Sequence, residues 1–389
     1  MTTSIENRFI PSFIFSSAVL AVFAPYLPIL LRELGYSPLW VGILFGIFEG
    51  AGIAGPILFG YWADRTGNYR LGLVVSCILP AIIAFPLIIW VNPVVSSIIL
   101  VLFAFGLRSS VPLLDAITTI QIGKTGNYGR IRVWGSISFI FFTLCLQWTP
   151  FLKPNSAGNI SLWITIGSVM SVAPILLLPG PLLRSSPKHD DKGLAEPEGK
   201  PVPIISAYVL GGFAIIFLSR LSMTSIYTYF PLYLTEVLQW NAVGLMFALA
   251  AASEVPFMFL SGKLIRRFGA LPLLALSAAA VCLRLLVLAF LPFKPCIIVS
   301  QLLHSLCFGI FHPSAVHFFA SIFPAKKRGT GMSVYLILGS GIPALISNMA
   351  GGVIVEAAGY QSLFTLYAAI SGAAVLIWIV VRLNRKVLY

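Results

Sequence analysis

Charge is what this sequence has least of. Of its 389 residues only 10% are charged while 58% are hydrophobic, and the mean hydropathy is +0.96. A soluble domain carries about 25% charged residues, so this scarcity excludes a water-soluble globule. Acid is scarcer than base: 12 Asp and Glu stand against 25 Lys and Arg, a net charge of +13. On a soluble chain that excess would point to nucleic acid. On a chain this apolar the question is which side of a lipid bilayer holds the positive residues, and no nucleic-acid partner is expected. Cysteine is rare as well. Cys77, Cys145, Cys282, Cys296 and Cys307 are odd in number and lack CxxC spacing, which argues against a disulfide framework and a zinc site. The sequence has no nucleophile–base motif, no ATPase-type phosphate loop and no polar domain large enough to hold either. Neither an enzyme nor an ATP-driven pump is expected, and no cofactor. No short apolar segment with a small-residue cleavage site opens the chain. The first apolar run starts near Phe9 and is long enough to span, so it is expected as a retained helix.

What the sequence does have is a series of long apolar runs. A spanning helix needs about 20 mainly apolar residues. Twelve stretches qualify, near 9–31, 39–62, 70–91, 94–120, 130–150, 159–182, 204–232, 241–262, 270–292, 295–323, 329–354 and 361–381. The expected fold is an all-α membrane protein of 12 transmembrane helices. The one long polar interruption, RSSPKHDDKGLAEPEGKPVP at 184–203, has the Pro, Gly and mixed charge of a solvated linker. It separates an N-terminal six-helix half, 1–183, from a C-terminal one, 204–389.

Placing the termini and the loops after even-numbered helices on one side puts nineteen of the 25 basic residues there, from Arg8 and Arg65 to Arg385 and Lys386. Only Arg32, Lys153 and Lys294 fall on the other side, with Arg108, Arg220 and Arg284 inside spans. Such a bias orients both termini toward the cytoplasm of a plasma (bacterial inner) membrane. The halves also repeat. An offset of 202 residues aligns Gly42 with Gly244, Gly60 with Gly262, Arg65 with Arg267 and Gly67 with Gly269. Pseudo-symmetric halves are the plan of a carrier that binds its solute between them.

The stretch GYWADRTGNYR, from Gly60 to Arg70, resembles the helix 2–3 loop motif of the major facilitator superfamily, and GKLIRRFG from Gly262 resembles its second copy. The resemblance marks Gly60, Asp64, Arg65 and Gly67 as a gating motif. Its glycines permit close helix approach and a tight turn, and Asp64 can accept from helix N-termini or an arginine. A narrower resemblance covers most of the chain. PLLDAITT (Pro112–Thr119) and YGRIRVWGSISF (Tyr128–Phe139) look like helices 4 and 5 of the lactose permease type of proton symporter, and closer still to the phenylpropionate permease branch. SEVPFMFLSGKLIRR, VCLRLLVLA and QLLHSLCFGIFH continue the match in order.

An ionisable side chain at the bilayer centre costs about 2.5–3.5 kcal/mol, so it normally faces a cavity and a partner. Its plainest role is an ion pair locking two helices; its functional role is binding or coupling. By the resemblance, Asp115 and Arg132 lie where the symporters carry a sugar-binding carboxylate and arginine, and Phe139 where they carry a stacking tryptophan. Arg108, seven residues before Asp115, can share its helix face and in part resembles an arginine found in helix 4 of many major-facilitator antiporters. Glu254, Arg284 and His304 match the symporters' C-terminal charged set. The family's proton-releasing carboxylate, one turn after that histidine, is here Cys307. Either Glu254 or Glu49 takes over that task, or protons are not coupled.

Glu49 has Ala251 at its repeat position, one turn before Glu254, so the two acids are expected to face each other. Arg220 is expected to pair with Glu49 or Glu254, and Tyr227 or Tyr229 to line the cavity. His304 and His312 are eight residues apart on one face, but Phe308 stands where an i+4 ligand would be needed, so no metal site is expected. The sequence reading is a secondary transporter of a small organic solute (aromatic carboxylate, sugar or nucleoside-like), by proton symport. Proton-coupled export and a non-transporting receptor are the alternatives.

Overall fold

A computed structural model of the chain describes residues 2–123, 127–184, 206–323 and 328–387. The described residues form twelve apolar helices. Seven run α1 Thr2–Glu33, α2 Pro38–Thr66, α3 Tyr69–Ile89, α4 Pro93–Ile122, α5 Tyr128–Trp148, α6 Ala157–Leu177 and α7 Ala207–Leu232. They continue as α8 Val243–Phe268, α9 Ala270–Phe290 and α10 Lys294–Ile322. The last stretch of helix, Ile342–Val387, is broken at Gly359, whose φ of 77° and ψ of 175° are not helical. At 1.5 Å per residue a continuous helix of that length would run about 69 Å, twice a bilayer core. The break therefore separates α11 (328–358) from α12 (360–387). The linker expected at 184–203 lies, beyond Arg184, outside the described residues, as do Lys124, Lys326 and Lys327 of the expected basic side.

Local sequence sets most helix starts. The side chains of Asn68, Asn92, Asn127, Ser156 and Ser206 each accept a hydrogen bond from a backbone N–H of the first turn of the helix they precede, which satisfies donors that have no intrahelical acceptor. Proline opens α2 and α4 at Pro38 and Pro93, where its missing N–H is no loss. Among the described residues three helices carry π-helical stretches, and α7 runs on into one at Tyr233–Val237. α10 passes through a π-helical stretch, Ser305–Ile310, directly after His304, and α11 through another, Ile337–Gly341. Such wide turns cluster at functional positions. α1 starts at Thr2 rather than near Phe9.

The chain packs as two compact units. One takes the described residues up to Arg184 together with Leu234–Ala248; the other takes Ser206–Tyr233 and the chain from Leu249 on. In the first, Phe9, Phe13, Leu73, Leu113, Leu114, Ile117, Ile131 and Ile175 form a buried apolar cluster of α1, α3, α4, α5 and α6. Segment 234–248 is held there by side chains. Arg32 Nε donates to Glu236 Oε1 at 2.5 Å. Gln147 Oε1 accepts from the N–H groups of Gly244 (2.9 Å) and Leu245 (3.3 Å), and its Nε2 donates to the Asn241 carbonyl at 3.0 Å. Gln147 thereby caps the first turn of α8 from α5. In the second unit, Ile215, Ile216, Leu274, Ala278, Phe311, Phe318, Phe319 and Ala374 build the equivalent core of α7, α9, α10 and α12. Large side chains such as Ile82, Val94, Leu177 and Phe259 are exposed, as helices facing lipid require.

The expected gating motif resolves into unequal parts. Gly67 ends α2 with φ 65° and ψ 7°, and Gly269 precedes α9 with φ 81° and ψ 163°, so both copies of the motif place glycine at a positive φ, in two different conformations that glycine adopts at low cost. Gly60 does not serve close approach: a methyl group there would meet nothing within 4 Å. Asp64 accepts from the Tyr69 hydroxyl rather than from an arginine, and Arg65 lies on the exposed end of α2 near the Tyr61 hydroxyl, 3.5 Å away. Gly67→Ala should lower unfolding stability of the detergent-solubilised protein by about 1 kcal/mol. Gly60→Ala should leave it unchanged or slightly higher, because alanine is the better helix former. Equal losses at the two positions would refute this division of roles.

Candidate functional site

Besides Arg32–Glu236 and Arg130–Glu6 at helix ends, two ion pairs of the first unit join residues further along its helices. Glu49 on α2 accepts from Arg108 Nη2 on α4, and the Arg108 guanidinium lies 5.2 Å from the centre of the Phe48 ring. Room for it comes from Gly52, where a methyl group would approach Arg108 Cγ to 2.8 Å. Seven residues on, Asp115 accepts from the Tyr128 hydroxyl at 2.6 Å and faces Arg132 Nε at 3.8 Å. The Arg132 guanidinium lies 5.9 Å from the Phe13 ring centre. Gly135, one turn after Arg132, leaves space that a methyl group would close to 2.9 Å from Nη1. All four charged side chains keep between 19% and 39% of their surface exposed.

In the second unit four polar side chains form a chain. Arg284 on α9 donates from Nη2 to Gln301 Oε1 and from Nη1 to His304 Nδ1, the latter at 2.9 Å. His304 Nε2 lies 2.6 Å from Glu254 Oε1 on α8. Arg284, Gln301 and His304 are 3%, 1% and 5% exposed. A guanidinium can only donate, so Nδ1 must accept, and the remaining ring proton sits on Nε2 and points at Glu254. The imidazole is thus a neutral bridge between a cation and an acid, with its tautomer fixed by the arginine. Cys307 follows one turn later, fully buried, and its carbonyl accepts from Ser277 Oγ at 3.1 Å.

Aromatic rings surround this chain. Phe308 lies between the rings of His304 and His312, with centroids at 6.1 and 5.9 Å and near-parallel planes. The Tyr227 ring meets His304 edge-on at 5.9 Å. Arg220 on α7 lies 5.7 Å from the centroids of both Tyr227 and Phe308.

Several expected residues fall elsewhere. Arg220 makes no ion pair with Glu49 or Glu254 among the described residues; aromatic faces hold it instead. Tyr229 does not line an opening: it is fully buried and its hydroxyl donates to the Asn348 carbonyl at 2.5 Å. Residues two apart on a helix point about 200° away from each other, so Tyr227 and Tyr229 cannot share a face. Arg108 and Asp115 share one face of α4 yet hold different partners. Phe139, half-buried on α5, lies two turns beyond Arg132, while the ring against that guanidinium is Phe13. Sequence reasoning missed Phe13, Tyr128 and Gln301; only Gln301, a polar residue one turn before His304 in an apolar run, had a readable signal.

The comparisons with known proteins agree on the fold. The model of the MFS_1 like family matches residues 10–366. The chain is 25% identical over 337 residues to the maltose permease of Geobacillus stearothermophilus, covering 84% of this chain and 75% of that one. It is 27% identical over 308 residues to the "Probable 3-phenylpropionic acid transporter" of Escherichia coli (strain K12), covering 77% and 78%. Among solved structures, the nucleoside transporter NupG superposes with a TM-score of 0.75 over 97% of this chain and 98% of that one, at 15% identity.

The bridging arrangement predicts a spectroscopic signature. Histidine-selective ¹⁵N labelling of the four histidines should give an Nε2–H tautomer signal that is lost specifically in His304→Asn. A signal assigned to His304 with its proton on Nδ1 would contradict donation from Arg284.

Proposed function

The chain belongs to the MFS_1 like family, whose relatives are transporters, and we propose that it is a secondary active carrier of a small organic solute, working by alternating access with proton symport. The observation that carries the coupling is the buried Gln301–Arg284–His304–Glu254 chain. In it Glu254 is the member that can exchange a proton, since 18% of its side chain is exposed. With Glu254 ionised, the imidazole passes its compensation to Arg284. A proton on Glu254 cancels that attraction and leaves Arg284 short of a counter-charge in a medium of low polarity. Solute groups or a rearrangement of the helices then supply what is missing, so solute and proton affect each other's binding reciprocally. Glu49, satisfied by Arg108, is a helix clamp in this scheme, and Cys307 takes no proton.

The solute is held by Asp115 and Arg132, with Tyr128 fixing the acid and Phe13 and Phe139 offering flat apolar surface. A carboxylate–guanidinium pair is balanced when empty and presents acceptors and donors to hydroxyls or to a carboxylate. The relatives named for maltose and for 3-phenylpropionic acid place sugars and aromatic acids first among solutes to test. Both termini face the cytoplasm, by the distribution of basic residues. Export by proton antiport is the second reading, since Cys307 replaces a carboxylate that the resembling symporters carry.

Reconstitution in liposomes tests the reading. Glu254→Gln should abolish uphill, proton-driven accumulation while sparing downhill exchange; unchanged uphill accumulation would refute Glu254 as the coupling residue. Arg132→Lys should weaken solute binding at least tenfold despite the retained charge, because paired hydrogen bonding is lost. Accumulation only on the acidic side of the membrane would replace symport by antiport.

A further inference from the structure

Arg220 is the one guanidinium inside the spans that lacks a counter-charge among the described residues. Arg108 has Glu49, Arg132 has Asp115, and Arg284 has Glu254 through His304. Arg220 stands thirteen residues into α7, about 20 Å along a helix at 1.5 Å per residue, so it lies near the middle of a span. Its Nε and Nη1 are buried and have no hydrogen-bond partner. The two rings beside it, Tyr227 and Phe308, attract the cation through their faces but leave those donors unused. A guanidinium stays charged at any physiological pH, and an unpaired one in this setting calls for an acceptor from outside the chain.

We infer that Arg220 docks a carboxylate of the transported solute, with Tyr227 and Phe308 as the walls for its apolar part, so that the cargo is an organic anion. The inference rests on the transport reading above and narrows its substrate. Two acceptor oxygens in a plane match a guanidinium better than a hydroxyl does. The rings that flank Arg220 also touch the relay: Tyr227 meets His304 edge-on, and Phe308 stacks on it. An anion seated on Arg220 is therefore felt at the imidazole that bridges Arg284 and Glu254.

Charge arithmetic supports the same cargo. With His304 neutral, Arg220, Arg284 and Glu254 leave one positive charge in the spans of the second unit. A monoanion alone removes it, and a monoanion with one proton on Glu254 restores it. The empty and fully loaded carriers then bury the same charge, while the half-loaded one does not.

The test uses purified full-length protein and titration calorimetry with benzoate, 3-phenylpropionate and hexanoate. The uncharged 3-phenylpropan-1-ol and maltose serve as controls. At least one carboxylate should bind tenfold or more tighter than the alcohol and maltose. Arg220→Gln should weaken it at least tenfold, to the level of the alcohol, and Arg220→Lys should recover part of the loss. In liposomes, uptake of that carboxylate should follow a pH gradient and not a membrane potential, because anion plus proton carries no net charge. Binding of the alcohol or maltose as tight as that of every carboxylate, or full carboxylate affinity in Arg220→Gln, overturns the inference. If Arg220→Gln does not purify as a monodisperse protein, the wild-type ratio of carboxylate to alcohol affinity decides alone. Gradient-driven uptake of maltose unaffected by Arg220→Gln would overturn the anion docking and leave the transport reading standing. Absence of uptake for every solute under every gradient would overturn the transport reading itself.

Discussion

A charge placed in the middle of an apolar span must find its compensation inside the protein, and the interior of this chain is organised by that requirement. Each unit meets it differently. The first uses direct acid–guanidinium pairs, Glu49 with Arg108 and Asp115 with Arg132, all four side chains partly exposed. The second interposes a histidine between Arg284 and Glu254 and sets another guanidinium against aromatic faces. A direct carboxylate–guanidinium contact is strong and charge-assisted, which suits a clamp or a binding surface. A bridge through a neutral ring is easier to interrupt, because one proton on the acid removes its reason to hold.

Small residues make these placements possible. Gly52 and Gly135 stand one turn after Glu49 and Arg132 and open the space that the Arg108 and Arg132 side chains fill. Their role is steric rather than conformational: both lie in regular helix, and a β-carbon would crowd the Arg108 stem at Gly52 and Arg132 Nη1 and Ser17 Oγ at Gly135. Gly67 and Gly269 act through backbone angle instead. Glycines that look alike in the sequence thus serve unrelated ends, and Gly60 serves neither.

Helix number and the positions of the charges within apolar runs were legible because each is written locally, in the length and composition of those runs. The choice of partner was not. Seven-residue spacing correctly puts Arg108 and Asp115 on one face of α4, yet α2 supplies the acid for one and α5 the arginine for the other. Phe13 and Tyr128 carry no charge and blend with dozens of other aromatics until the helices are assembled. The π-turns after His304 and Leu336 leave no mark in composition, since they answer to packing rather than to propensity.

The two sequence halves and the two packed units do not coincide. Segment 234–248 belongs by sequence to the second half but is bonded into the first unit through Glu236, Asn241, Gly244 and Leu245. The chain therefore passes between units three times: at the linker, after Tyr233 and after Ala248. A protease that nicks the backbone between 185 and 205 would produce two polypeptides but not two particles, because Gln147 would still cap a helix that begins on the other fragment.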